Sequence, residues 1–275
     1  MAAWLGLVEG GGCLLRHVRM FGSSRVAVVV PAYDEAALIA RTLSQIPAEV
    51  DHIVVVDDGS RDRTAAIVEA LEDHRLELCR HPRNRGVGAA IRTGYRVAFE
   101  AGADVAVVMG GDGQMDPRDL RRLVSPVLEG RADYVKGDRL SWPDARLRMP
   151  TERWIGNHVL SLMTRLATGL DVSDSQCGYT AAGPEAAALL VGQGMWSGYG
   201  YPNDALGRLA HSALRVVDIP VRPLYGDEIS GIGMRHALVV IPWVLARVAL
   251  RRLVSAETAA RGADAAPSPR CASAS

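Results

Sequence analysis

Three groups of acid and amide side chains follow directly on short, valine-rich runs, and their types and spacing define what chemistry the chain could carry. Val105 to Met109 leads into Gly110-Gly111-Asp112-Gly113-Gln114 and then Asp116-Pro117. Asp112 and Gln114 offer oxygen ligands on alternate residues of a turn, which suits a hard divalent cation that also carries phosphates. The plainer alternative is a strand-to-helix turn whose polar groups are simply solvated. Ile53 to Val56 ends in Asp57-Asp58-Gly59-Ser60, and Val26 to Val30 ends in Pro31-Ala32-Tyr33-Asp34-Glu35. Carboxylates in such turns accept hydrogen bonds from base and ribose groups. Acids for a nucleoside and a metal for a diphosphate describe a sugar-nucleotide site.

Such turns act together only if a frame brings strand ends side by side. Val26 to Val30 reads as a buried strand stopped by Pro31. A helical pattern covers Ala36 to Gln45, and the strand Ile53 to Val56 is followed by a helix from Asp62 to about Glu72. Leu76 to Cys79 is a short third strand, and His81 to Gly88 is a loop leading into a helix through Glu100. The strand at Val105 comes next, and Asp116-Pro117 caps another helix with proline at its first position. This alternation predicts an α/β fold with a mostly parallel sheet and ligands at the strands' carboxyl ends. A dinucleotide-binding Gly-x-Gly-x-x-Gly is missing after the first strand, and Gly-Lys-Ser/Thr occurs nowhere, which excludes a dehydrogenase and a P-loop enzyme.

The 275 residues carry 31 basic and 31 acidic side chains. No overall field draws the chain to nucleic acid. Lys136 is the only lysine. Cys13, Cys79, Cys177 and Cys271 lie far apart without metal-type pairing, which fits a reduced, cytoplasmic compartment. Residues 1–24 form an N-terminal extension without the pattern of a signal peptide. No run reaches the ~20 apolar residues of a membrane span; Ala237 to Leu250 is shorter and contains Arg247. Residues 255–275 are rich in Ala, Ser and Pro and read as a disordered tail.

Val29-Val30-Pro31-Ala32-Tyr33-Asp34-Glu35, Val55-Val56-Asp57-Asp58-Gly59-Ser60-Arg61-Asp62 and Asn84-Arg85-Gly86-Val87-Gly88 stand in the order seen in family-two glycosyltransferases. The chain resembles that family over roughly residues 25–233. Lys136-Gly137-Asp138-Arg139, Asp174-Ser175-Gln176-Cys177-Gly178-Tyr179 and Tyr225-Gly226-Asp227-Glu228-Ile229-Ser230-Gly231 narrow the resemblance to the dolichyl- and polyprenyl-phosphate sugar transferases. The resemblance implies a GT-A fold and an inverting transfer from a nucleotide-sugar donor, with Mg2+ or Mn2+ as cofactor. The implied acceptor is a polyprenyl or dolichyl phosphate; a soluble small molecule is the alternative.

Residue by residue, the resemblance implies that Pro31, Ala32, Tyr33 and Glu35 hold base and ribose, continued by Asp57, Asp58 and Gly59. Asn84, Gly86 and Gly88 lie beside that site. Gly111 and Asp112 meet the donor, with Asp112 and Gln114 on the metal and diphosphate. Arg139 faces phosphate, where a planar donor fork suits oxygen pairs. Asp174, Gln176, Arg222 and Ser230 belong to the acceptor or its phosphate. Two positions depart from the pattern. Gly110 stands where many relatives have the first acid of Asp-x-Asp, which leaves a non-catalytic sugar-nucleotide binder as another reading. Ile229-Ser230 stands where dolichyl-phosphate enzymes have Ser-Lys. A nucleotidyltransferase would place a glycine-rich basic loop after the first strand, unlike Pro31 to Glu35.

Beyond Arg139, Trp142 to Thr151 reads as a loop. Glu152 to Leu166 carries Trp154, Ile155, Val159, Leu162, Met163 and Leu166 at helical spacing, as a core-packed helix does; an acceptor or membrane face is the other reading. Asp174 to Tyr179 is expected to return the chain to the sheet edge, with Cys177 a small core residue. Gly198 to Asp204 opens a helix. The family resemblance makes Asp204 the acceptor-facing acid and base for a hydroxyl acceptor, whereas helix-start acids are also common for dipole reasons alone. Leu214 to Ile219 is a last strand. A C-terminal amphipathic segment at residues 234–254 should kink at Pro242. Its Trp243, Arg247, Arg251 and Arg252 suit either a membrane surface, making the protein peripheral, or packing on protein, including a second subunit.

Overall fold

A computed structural model describes residues 21–192, 195–225 and 239–264. Its strands are β1 Val26–Ala32, β2 His52–Asp57, β3 Leu76–Arg80, β4 Val105–Val108, β5 Tyr134–Asp138, β6 Thr180–Ala182 and β7 Val216–Pro220. They form one seven-stranded sheet in the order β3-β2-β1-β4-β6-β5-β7. β6 runs antiparallel to both β4 and β5, and the other pairings are parallel. The Asp174 to Tyr179 segment therefore feeds the interior of the sheet and not its edge. The edge beside β5 belongs to β7.

The helices are α1 Ile39–Ser44, α2 Thr64–Glu69, α3 Val87–Glu100, α4 Leu120–Leu128, α5 Ala145–Arg148, α6 Thr151–Thr168, α7 Pro184–Val191, α8 Tyr201–Leu209 and α9 Ile241–Asp264. Alternate residues of a strand point to opposite faces, and both faces of β1 are covered. Val26, Val28 and Val30 join Ile39, Leu43, Leu120 and Leu123 in one layer. Ala27 and Val29 join Ile91, Tyr95 and Ala98 in the other. That is why the strands read as unbroken apolar runs.

The chain passes from β1 through β2 to β3 on one side and then crosses to β4 on the other. The crevice outside the carboxyl ends of β1 and β4 is thus the switch point of the sheet, where open α/β folds bind ligands. The turn after β1 and the turn after β4 are its walls.

α6 packs through Leu160, Met163 and Ala167 against Ile241, Leu245 and Val248 of α9. The rest of its apolar set stays outside: Ile155, Val159, Leu162 and Leu166 are between 50% and 73% exposed. The core-packed reading holds for one flank of this helix only. Pro242 is the second residue of α9 and directly follows a π-helical stretch at Val239 and Val240, and a change of helix type is a recognised site of helix kinks. From there the α-helix continues to Asp264, past Val254. Among the described residues no helix is long and apolar enough to cross a membrane.

Candidate active site

The turns after β1 and β2 are bonded into one unit. Asp34, at a positive φ of 56°, donates its backbone N–H to Ser60 Oγ at 2.9 Å and accepts from the Arg61 N–H at 2.7 Å. The Glu35 N–H donates to Thr64 Oγ1 at 2.8 Å, and the Ala36 N–H to Asp62 Oδ2 at 3.0 Å. This ties Pro31, Ala32, Tyr33 and Glu35 to the strand end that bears Asp57 and Asp58. Tyr33 is 37% exposed and Asp57 only 2%. Asp57 caps its own turn by accepting the Ser60 N–H at 3.0 Å.

Asp58 is committed elsewhere. Its carboxylate accepts the N–H groups of Arg85 and Gly86 at 2.9 and 2.7 Å and lies 2.6 Å from His81 Nδ1. It holds the Asn84 to Gly88 loop in place, and Asn84 Oδ1 adds a bond from the Gly86 N–H at 3.1 Å. Gly59, at φ 75°, has no room for a side chain, since a Cβ would stand 2.5 Å from the Arg83 carbonyl carbon. Gly88 donates its N–H to the Ser197 carbonyl at 2.7 Å, and a Cβ there would lie 2.3 Å from the Trp196 carbonyl oxygen. Gly88→Ala should therefore lower the unfolding free energy by about 1–3 kcal/mol; a denaturant midpoint equal to the parent's would contradict that packing.

Across the crevice, the turn after β4 is fixed to β1 and α1. The Gly111 N–H reaches the Pro31 carbonyl at 3.3 Å, and Thr42 Oγ1 donates to the Gly111 carbonyl at 3.1 Å. Asp112 Oδ1 accepts the Gln114 N–H at 3.1 Å. Asp112 and Glu35 sense each other. Glu35 is pushed up from its ordinary 4.5 to about 7, first by burial and then by the negative charge of Asp112, Asp62 and Asp34.

The folded state holds the Glu35 proton more tightly than the unfolded chain does. Glu35 therefore weakens the fold as pH rises from about 4.5 through about 7. Glu35→Gln should melt above the parent at mildly alkaline pH and with it in acid. A melting difference that does not grow with pH would refute this.

Among the described residues no group of three or more His, Cys, Asp or Glu side chains could hold a metal by itself. The crevice nevertheless fits a cation shared with a ligand. Glu35 on one wall and Asp112 on the other bring carboxylates to the crevice, and a small divalent ion commonly takes one or two carboxylates and completes its shell with phosphates and water.

Tyr199 and Tyr201, which no motif marks, stand near these acids. Tyr199 is 41% exposed; partial burial and the negative charge of Glu35 and Asp112 raise its phenol. Tyr201 is raised by burial and neighbouring polar groups, Asp112 among them. Two tyrosines around Gly200 at a helix start were the available signal.

Further along the sheet edge, Arg139 donates from Nε to Asp174 Oδ2 at 2.7 Å and from Nη2 to Oδ1 at 3.1 Å. Burial works against the guanidinium charge, but Asp174 outweighs it and raises Arg139. Burial would likewise raise Asp174, and Arg139 reverses this and lowers it. Gln176 Nε2 donates to Ser175 Oγ at 2.7 Å and to Asn203 Oδ1 at 3.2 Å, which also receives Thr164 Oγ1 at 2.8 Å. Asp174 and Gln176 thus join β5, α6 and α8. Arg222 is 3.2 Å from Asp119 and 3.5 Å from Asp116, with its guanidinium 5.1 Å from the centre of the Trp142 ring. Ser230 and the Gly226 to Gly231 motif lie outside the described residues.

Asp204 has a different setting from an acceptor-facing base. It is fully buried, with Oδ2 accepting Arg208 Nε at 3.0 Å and the Trp196 N–H at 2.9 Å. Oδ1 accepts Arg247 Nη2 at 2.7 Å, and Arg251 stands 3.6 Å away. Burial alone would raise this carboxyl; these donors hold it low. It fastens α8 to α9.

Comparison with known proteins agrees with this geometry. The family described as Glycosyl transferase family 2 matches residues 27–182. The chain is 31% identical to the UDP-N-acetylglucosamine–dolichyl-phosphate N-acetylglucosaminyltransferase of Methanococcus voltae, covering 74% of this chain and 86% of that protein. It is 32% identical to the undecaprenyl-phosphate mannosyltransferase of Micrococcus luteus over 81% of this chain and 95% of the other. Glucosyl-3-phosphoglycerate synthase from Mycobacterium tuberculosis, solved with Mn2+, uridine diphosphate and glucosyl-3-phosphoglycerate, shares the fold with a TM-score of 0.56 at 21% identity, covering 90% and 86% of the two chains. A crevice at the switch of a mixed sheet, the motifs that wall it and the relatives that match the chain all lead to one assignment: the chain belongs to glycosyl transferase family 2, built on the GT-A fold.

Proposed function

We propose that the protein transfers a sugar, with inversion, from a nucleotide-sugar donor to a polyprenyl or dolichyl phosphate, at a membrane surface and with Mg2+ or Mn2+ on the donor diphosphate. The observation that carries the choice of acceptor is the state of Asp204. A hydroxyl acceptor needs a base to take its proton, and the acid expected in that role has both oxygens engaged by arginines and a backbone amide. A phosphate acceptor arrives ionised and needs little such help. Relatives that match over most of their length act on dolichyl and undecaprenyl phosphate, which supports the same acceptor here.

In this reading Glu35 and Asp57 accept hydrogen bonds from the nucleoside, with Tyr33 and Tyr199 at its rim. Asp112 and Gln114 would hold the cation, which when bound offsets charge on the departing diphosphate. The acceptor oxygen attacks the anomeric carbon from the face opposite that diphosphate. α9, with Trp243 and Leu250 exposed and Arg251 and Arg252 next in the chain, suits shallow contact with anionic lipid.

The test is incubation of the full chain with a panel of nucleotide sugars and either a short-chain polyprenyl phosphate or soluble hydroxyl acceptors, with Mg2+, Mn2+ or excess chelator. The expected product is the polyprenyl-phosphate sugar, with nucleoside diphosphate released and chelator stopping both. Transfer to hydroxyl acceptors alone would overturn the proposal.

A further inference from the structure

A cavity of about 200 Å³ lies beside α6, lined by Leu140, Ser141, His158, Ser161, Arg165 and Ser173. It adjoins the Arg139–Asp174 pair, because Leu140 and Ser141 follow Arg139 in the chain and Ser173 precedes Asp174. β5 runs in the same direction as β4, since both are antiparallel to β6. The cavity therefore lies toward the same end of the sheet as the donor crevice, two strands along from β4.

Its chemistry is that of an oxyanion site. Among the described residues, Arg165 has no carboxylate partner, unlike Arg139, Arg208, Arg222 and Arg247. His158 Nδ1 lies 3.0 Å from the Trp154 carbonyl, so that nitrogen carries the proton. Nε2 can then accept a phosphate O–H or, once protonated, donate to a phosphate oxygen. Ser141 and Ser173 add hydroxyls, while Ser161 Oγ is already engaged by the Ser175 N–H at 2.9 Å. The nearby acids are tied to backbone: Asp138 accepts the N–H groups of Leu140 and Ser141, and Asp218 that of Ser173.

The outer face of α6 supplies the second half. At about 100° per residue, positions 158, 161 and 165 form one flank of the helix, and 155, 159, 162 and 166 form the next. Ile155, Val159, Leu162 and Leu166 are all at least half exposed. A cationic, hydroxyl-lined cavity thus adjoins a straight apolar stripe, and only a ligand with a charged head and a hydrocarbon chain matches both. We propose that this pair of features seats the isoprenoid phosphate acceptor, its phosphate in the cavity and its first isoprene units along the α6 stripe. The inference rests on the acceptor class proposed above.

The test compares Arg165→Gln, Leu162→Asn and, as a distant charge control, Arg131→Gln, using full-length protein and a short-chain isoprenyl phosphate. Arg165→Gln should raise the KM for isoprenyl phosphate by about tenfold or more, as loss of a charge-assisted contact does. The KM for the nucleotide sugar serves as the internal reference and should move far less. Arg165→Lys should recover part of the loss. Leu162→Asn should raise the KM for isoprenyl phosphate while leaving the weak inhibition by inorganic phosphate at the parent's level; Arg165→Gln should relieve that inhibition.

Unchanged acceptor KM in Arg165→Gln, or equal shifts in both substrates, overturns the site and leaves the proposed reaction standing. If Arg165→Gln instead loses only flotation with phosphatidylglycerol vesicles, the cavity reads a membrane headgroup and the acceptor assignment fails. If the parent transfers no sugar to any isoprenyl phosphate, the proposed reaction itself falls, and this site with it.

Discussion

Asp112→Asn is expected to lower sugar transfer by about 100-fold or more, the scale of losing a main electrostatic contact to a departing group, while the protein still folds. The asparagine keeps an oxygen for the Gln114 N–H, which Asp112 Oδ1 accepts at 3.1 Å, so the turn after β4 keeps its shape. What disappears is the negative charge that a divalent cation would share with diphosphate. The same substitution should relax Glu35, because Asp112 is among the charges that raise it. Steady-state transfer, a melting curve and a chelator titration check the three parts together. Full turnover by the variant, or by the parent in excess chelator, would remove the metal from the mechanism.

Asp174→Ala should cost about 3–5 kcal/mol of stability, the usual penalty for stranding a buried charge. Asp174 is fully buried and takes both arms of the Arg139 fork at 2.7 and 3.1 Å. Lys136, also buried, stands close enough to favour its ionised form. Removing one carboxylate thus leaves cationic side chains without their counter-charge. Replacing Asp174 and Arg139 together by leucine and methionine should recover most of the loss, since burying neither charge avoids the penalty. Since Asp174 is held below the ordinary carboxylate range, the pair's contribution is present at neutral pH and disappears in acid. Urea titrations of the single and double variants decide the matter. A single variant within about 1 kcal/mol of the parent would show the pair to be weakly coupled.

These two sites differ in how far the sequence exposed them. Strands β1, β2 and β4 and their acidic turns were legible because both sheet faces are covered, which leaves continuous valine runs that stop abruptly at polar turns. The three-residue β6 carries no such pattern, so its place between β4 and β5 stays hidden in the sequence. Asp58 and Asp57 are neighbours of one residue type, and only the fold separates the one that anchors the Asn84 to Gly88 loop from the one that caps its own turn. The setting of Asp204 is illegible for a related reason. Its strongest partner, Arg247, stands 43 residues away, and no local spacing announces a contact of that range. On α6, periodicity marked an apolar face correctly but could not say that α9 covers just one flank of it.

The clasp at Asp204 also determines what kind of part α9 is. A helix held only by apolar contacts could be cut away and leave a patch of hydrocarbon. Cutting the chain before Ile241 would take away Arg247 and Arg251 and, with Ile241, Leu245 and Val248, the wall that shelters α6. The remaining body would keep a deeply seated carboxylate with Arg208 as its one remaining arginine. α9 is thus a keystone of the catalytic body rather than a detachable anchor, and any lipid surface it touches meets a helix that is itself clasped to α8 through Asp204.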